Sequence, residues 1–210
     1  PPVDELAART TLERSQRAVS IFRGKRFGTA TQRVDLLYGE AVLPAYDASA
    51  NDGAGAWRWA LTGYRARYGH MGFGNIYNNY TWTMAVSGGR LFVGTMDWSY
   101  LAKDLLPQSV AEMGYPQAAA ALTDGPDPIT IDPQLYGGDL WMFGSNLRPA
   151  TAVDTQGLGG NYLNYGVRTM VADGSTLYLG MANPMNLRTD PTDDVPEGGW
   201  ELIKLTPTVS

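Results

Sequence analysis

Residues 74–97, GNIYNNYTWTMAVSGGRLFVGTMD, recur without a gap 86 positions later as residues 160–183, GNYLNYGVRTMVADGSTLYLGMAN. Eight of the 24 aligned positions are identical: Gly74/Gly160, Asn75/Asn161, Asn78/Asn164, Thr83/Thr169, Met84/Met170, Gly88/Gly174, Leu91/Leu177 and Gly94/Gly180. Self-similarity at a fixed spacing is the signature of a structural unit used more than once.

Each half of the repeat reads as a hairpin. Ser87-Gly88-Gly89 and Asp173-Gly174-Ser175 supply the glycine that a tight turn with positive φ requires. Residues 81–86 and 167–172 lead into these turns as short strands. Leu91-Phe92-Val93 and Leu177-Tyr178-Leu179 leave them as unbroken apolar runs, the mark of a strand covered on both faces. Gly94 and Gly180 close those runs and leave room for a neighbouring backbone. A second, glycine-led aromatic element follows at a distance, as residues 138–143 (GDLWMF) and 199–205 (GWELIKL). Trp57, Trp59, Trp141 and Trp200 supply large apolar area for packing between sheets.

A weaker copy precedes both. Residues 34–39 (VDLLYG) hold the place of residues 90–94, and residues 55–59 (GAWRW) hold that of the aromatic element. Upstream, residues 1–20 have the composition of a short helix or arm, with Asp4 and Glu5 in the first turn where the helix dipole favours acids. Residues 99–136 are an insertion. Its part 99–122 is the most helix-like stretch in the chain, expected to break at Pro107 and Pro116. Residues 124–133 (DGPDPITIDP) read as a linker.

Bulk properties agree with strands joined by turns. The chain has 210 residues, 44% hydrophobic and 18% charged, with 25 glycines and 12 tyrosines. Such a composition suits a folded core and not a disordered chain. The net charge of −5 and the lack of a basic stripe argue against nucleic acid as a partner. No apolar run reaches the roughly 18 to 20 residues that span a bilayer as a helix. With no cysteine, disulfides and thiol chemistry are excluded. The Pro1-Pro2 start without an initiator Met suggests a processed or truncated product, exported to a bacterial periplasm or to the exterior.

Repeated small sheets with glycine turns and one aromatic strand each resemble the blades of a β-propeller. The pattern LFVGTMD / LYLGMAN, followed by GGDLWMF / GGWELIKL, resembles kelch-like bacterial propellers over about residues 34–205. The chain departs from the kelch pattern in that the Gly-Gly pair precedes the aromatic strand. The resemblance implies an all-β fold of about three blades, near residues 21–70, 71–150 and 151–210. Propellers typically close with four to eight blades. The ring is therefore expected to be incomplete, and finished by another polypeptide, by the rest of a processed precursor or by a second copy of the chain.

The chemistry-bearing residues are few. His70 is the only histidine, and no Gly-x-Ser-x-Gly elbow accompanies it, so neither a hydrolase triad nor a multi-histidine metal site is expected. Two carboxylate groups, Asp124/Asp127/Asp132 and Asp190/Asp193/Asp194/Glu197, offer oxygen ligands suited to Ca²⁺. Neither matches an EF-hand loop, and the prolines among them favour ordinary solvated loops. No other cofactor is expected.

The segments entering the first strand of each unit are the better candidates. Asn75, Tyr77, Asn78, Tyr80 and Trp82 align with Asn161, Leu163, Asn164, Gly166 and Arg168. Amides and aromatic rings together suit a neutral polar ligand such as a glycan. The recurring Asn78 and Asn164 could equally satisfy loop backbone. Asp97 and Arg168 break the repeat, and Arg168 could take a carboxylate or phosphate in its fork or pair with an acidic neighbour. The expected function is a non-catalytic binding or assembly module. The alternative is a propeller hydrolase or lyase acting on glycans, with part of its site on the missing blades.

Overall fold

The computed structural model describes residues 10–11, 13–112, 114, 116–124, 130–145, 147–184 and 201–206. The chain is all-β: 42% strand against 18% helix, with one curled half-barrel sheet. It divides into two units, Pro1–Ile76 with Leu106–Pro128, and Tyr77–Leu105 with Ile129–Ser210.

The second unit carries the repeat. β5 (Asn78–Ser87), β6 (Arg90–Asp97), β7 (Leu140–Phe143) and β8 (Thr151–Asp154) form an antiparallel meander in that order. β9 (Gly166–Asp173), β10 (Thr176–Ala182) and β11 (Leu202–Leu205) form a second one. Both hairpin turns fall where the glycines place them, with Gly88 at φ 54°, Gly89 at 73° and Gly174 at 60°. Neighbouring separate sheets are expected from the repeat, but the two meanders share one hydrogen-bonded path. β6 runs past the start of β7, and its edge at Met96 pairs with Gly166. This architecture is compatible with a propeller-like fold.

The 86-residue offset governs register as well as sequence. In β6–β7, Leu91, Phe92, Val93 and Gly94 face Phe143, Met142, Trp141 and Leu140. In β10–β11, Leu177, Tyr178, Leu179 and Gly180 face Leu205, Lys204, Ile203 and Leu202. Equivalent residues thus meet equivalent partners. Phe92, Leu140, Leu158, Val167, Leu177, Leu179 and Met181 make one buried cluster, with Ala85, Met142, Met170, Ile203 and Leu205 packed on it. Burial of each large side chain contributes roughly 1.5–3 kcal/mol. Gly94 is needed there because a Cβ would stand 2.5 Å from that of Val167.

One position spoils this apolar pattern. Thr81 aligns with the fully buried Val167, and its hydroxyl is buried with no hydrogen-bond partner. An unsatisfied buried hydroxyl costs about 1–3 kcal/mol. Thr81→Val is therefore expected to stabilise the protein by about 1 kcal/mol, raising Tm by about 2–4 °C. Thermal unfolding checks this, and an unchanged or lower Tm contradicts it.

The first unit departs from the repeat. β1 (Ile21–Lys25) and β2 (Arg33–Tyr38) form the expected hairpin, and Leu36, Leu37 and Tyr38 are buried. Residues 55–59, however, do not lie beside β2. They belong to β4 (Ala56–Leu61), which pairs with β3 (Val42–Asp47) in a separate two-stranded sheet. The reason is local. The connection contains a strand that captures β4 through its own turn, where Asn51 and Asp52 adopt positive φ and Tyr46 packs on Trp57. The free edge of β2 is taken by residues 67–69: Arg67 N donates to Leu36 O, Tyr68 N to Leu37 O, and Gly39 N to Gly69 O.

Helix α1 (Ser99–Glu112) passes through Pro107 without ending, contrary to the expected break, and α2 (Pro116–Asp124) begins on its proline. The proline at that first position lacks only an N–H that would have had no partner in the helix. Of residues 1–20, the described positions 10, 11 and 13–15 are helical. No described helix is long and apolar enough to cross a membrane.

Candidate functional site

Two of the candidate amides form a buried latch that the repeat uses twice. Asn78 and Asn164 are both 0% exposed. Asn78 Nδ2 donates to Asp139 Oδ2 at 2.7 Å, and Asn164 Nδ2 donates to Glu201 Oε2 at 2.6 Å. The acids stand at equivalent places, one residue before β7 and β11. There their carbonyls accept from Thr95 N and Met181 N. Each asparagine thus ties the entry of the first strand to the entry of the third.

The two latches are finished differently. In the second, Asn161 Nδ2 donates to Glu201 Oε1 at 2.6 Å, so both carboxylate oxygens are served. Asn164 also donates to Gly157 O and accepts from Asn183 Nδ2. In the first, the shorter Asp139 receives Asn78 and the Trp141 indole on the same oxygen, Oδ2. Thr95 closes that ring by donating to Asn78 Oδ1 at 2.6 Å and accepting from Asp139 N at 2.8 Å. Asp139 Oδ1 is buried without a hydrogen-bond partner. Burial pushes the Asp139 carboxyl up to about 7; the Trp141 and Asn78 hydrogen bonds oppose this, and the charges of Asp97 and Asp154 add to it.

Asp97 stands opposite Asn78 across β5–β6, 1% exposed, and its Oδ1 accepts from Ser99 N at 2.8 Å and from the Ser99 hydroxyl. Tyr77 packs edge-on to Trp98, with centroids 6.3 Å apart. Its hydroxyl is pushed above its usual range by burial, then by the Asp97 charge and by Tyr136. Tyr136, Tyr100 and Tyr162 form a three-ring cluster, with centroids 5.3, 5.4 and 5.8 Å apart. Asn75 is buried, and its N–H donates to Gly72 O.

Trp82 and Arg168 meet in a third place. These two residues are equivalent in the repeat, and each is the extra residue of a β-bulge. Thr81 faces Thr95 and Thr83 faces Gly94, which leaves Trp82 over. Val167 faces Met181 and Thr169 faces Gly180, which leaves Arg168 over. The guanidinium carbon lies 5.0 Å from the Trp82 ring centroid, and Tyr165 packs edge-on to the same ring at 5.8 Å. Bulges re-aim side chains and are over-represented beside functional sites. Tyr80, on the same strand as Trp82, is 60% exposed.

His70 is exposed, with Nδ1 2.8 Å from Glu40 Oε1. Asp132 caps a short turn by accepting from Gln134 N. Asp127, Asp190, Asp193, Asp194 and Glu197 lie outside the described residues. Among the described residues, no group of three or more His, Cys, Asp or Glu is placed to hold a metal ion.

Sequence reasoning passed over Asp139, Glu201, Thr95 and Tyr165. The signal for the two acids was present: an acid precedes the apolar strand in both GGDLWMF and GGWELIKL. Comparison with protein-family models, curated proteins and solved structures finds no match to the chain.

Proposed function

We propose that the chain is a non-catalytic binding and assembly module, whose sheets are blades of a kelch-like propeller completed by another polypeptide or by a second copy. The observation that carries this reading is the strand order. A four-stranded meander, β5 to β8, is followed by a second with the same register that has three strands among the described residues. A curled sheet that ends on strand edges invites pairing with another chain. The two-stranded β3–β4 sheet adds to this, since Trp59 and Leu61 on β4 are 65% and 85% exposed.

The carboxyls nearest the candidate residues favour binding over catalysis. Asp97 and Asp139 are each 1% exposed and are engaged by Ser99, Asn78 and Trp141. An acid or base must reach the proton that it moves. Export to the periplasm or exterior belongs to the same proposal. Sedimentation and native mass spectrometry of the purified chain test it. A defined oligomer, or a stoichiometric complex with another polypeptide, is expected. A monodisperse 22.8 kDa monomer at all concentrations overturns it.

A further inference from the structure

Trp82 and Arg168 occupy one position of the repeat in two copies, and the structure brings them face to face. We infer that this pair is a binding site for an organic carboxylate, an anion joined to an apolar or aromatic body. The inference goes beyond assembly and does not depend on it.

Four observations converge. First, both side chains are the extra residues of bulges, so two independent irregularities aim them at one spot. Second, the guanidinium lies over the indole at 5.0 Å. A cation held over a ring face by the ring quadrupole keeps its N–H donors for other partners. Third, the exposed Arg168 has no hydrogen bond or ion pair among the described residues. Among the described residues no acidic side chain pairs with it. Fourth, the platform is rigid. Tyr165 holds the ring from its edge at 5.8 Å, and a Cβ on Gly166 would stand 2.6 Å from the ring.

The charge decides the ligand. Arg168 is the only cationic residue on β5 or β9. A single fork of parallel N–H donors matches the two oxygens of a carboxylate. A phosphate dianion ordinarily draws several cations or a ring of backbone N–H groups. Tyr80 and Met84, on the strand that carries Trp82, are exposed apolar side chains. A preorganised fork loses little freedom on binding, which is the usual origin of affinity at such a site.

Benzoate is the probe, with benzamide and inorganic phosphate as controls. Binding is read from the Trp82 indole and Arg168 Nε–H resonances in nitrogen-edited NMR spectra. Benzoate is expected to shift both saturably, while benzamide and phosphate bind about tenfold more weakly or worse. Arg168→Gln is expected to raise the benzoate Kd by about tenfold or more, with Arg168→Lys between the two. Trp82→Phe should weaken binding less. Because Arg168 is exposed, its variants keep the fold, which the rest of the spectrum verifies. Equal responses to benzoate and benzamide, phosphate binding as tight as benzoate, an unchanged Kd in Arg168→Gln, or no saturable response up to the solubility of benzoate would each overturn the assignment.

Discussion

Replacing Asn164 with alanine is expected to remove about 3 kcal/mol of stability or more, the largest effect of any single polar substitution in the second unit. The side chain is fully buried and serves three partners. It donates to Glu201 Oε2 and Gly157 O, and it accepts from Asn183 Nδ2. Truncation leaves a carbonyl and a carboxylate oxygen without the donor that solvates them. Urea unfolding of Asn164→Ala, Glu201→Gln and the double variant measures both the loss and its origin. If the latch is the cause, the two substitutions couple by about 1 kcal/mol or more. A loss below about 1 kcal/mol, or strict additivity, would show that packing alone holds β11 in place.

The second large effect is on pH dependence. Asp139 is raised from 3.8 to about 7 in the folded protein, chiefly by burial. Between those values the folded state holds a proton that the unfolded chain has released. Stability is therefore fully present below about pH 4, falls as pH rises, and levels off above about pH 7. At 1.36 kcal/mol per pKa unit, the span is about 4 kcal/mol at most. Asp139→Asn keeps the shape and an acceptor for Asn78 and Trp141 but carries no charge. It is expected to flatten the profile and to exceed the parent in stability at about pH 8. Asp35 and Asp47 act in the opposite sense. The Arg23 hydrogen bond lowers the first and Ser49 lowers the second, so their contributions are lost as pH falls through the acid range. Both belong to the first unit and are common to parent and variant. Unfolding free energies of both proteins at about pH 5 and about pH 8 provide the check, and a difference that does not change with pH would refute it.

What the sequence reveals is what repeats locally. The glycine turns, the apolar second strands and the glycines that end them all lie within one 24-residue window, so a single alignment finds them. What it hides is of three kinds. The latch joins residues 61 and 37 positions apart, and nothing local to Asn78 or Asn164 announces an acid. The bulges at Trp82 and Arg168 break the period-two alternation that a strand reading assumes, so the side that those residues face is invisible beforehand. In the first unit, residues 55–59 look like a third strand of the repeat, yet β3 competes for them and wins by proximity. Pro107 shows the same limit. A local breaker rule expects an end, but the helix continues through it.

The matched register of β6–β7 and β10–β11 survives very unequal detours, over residues 98–139 in one case and 183–201 in the other. Closing a longer excursion costs only about 0.6 kcal/mol per doubling. The stem, secured by its asparagine and acid, is thus indifferent to what hangs from it. A duplicated scaffold of this kind can diversify by growing appendages, and selection can try new ones without renegotiating the core.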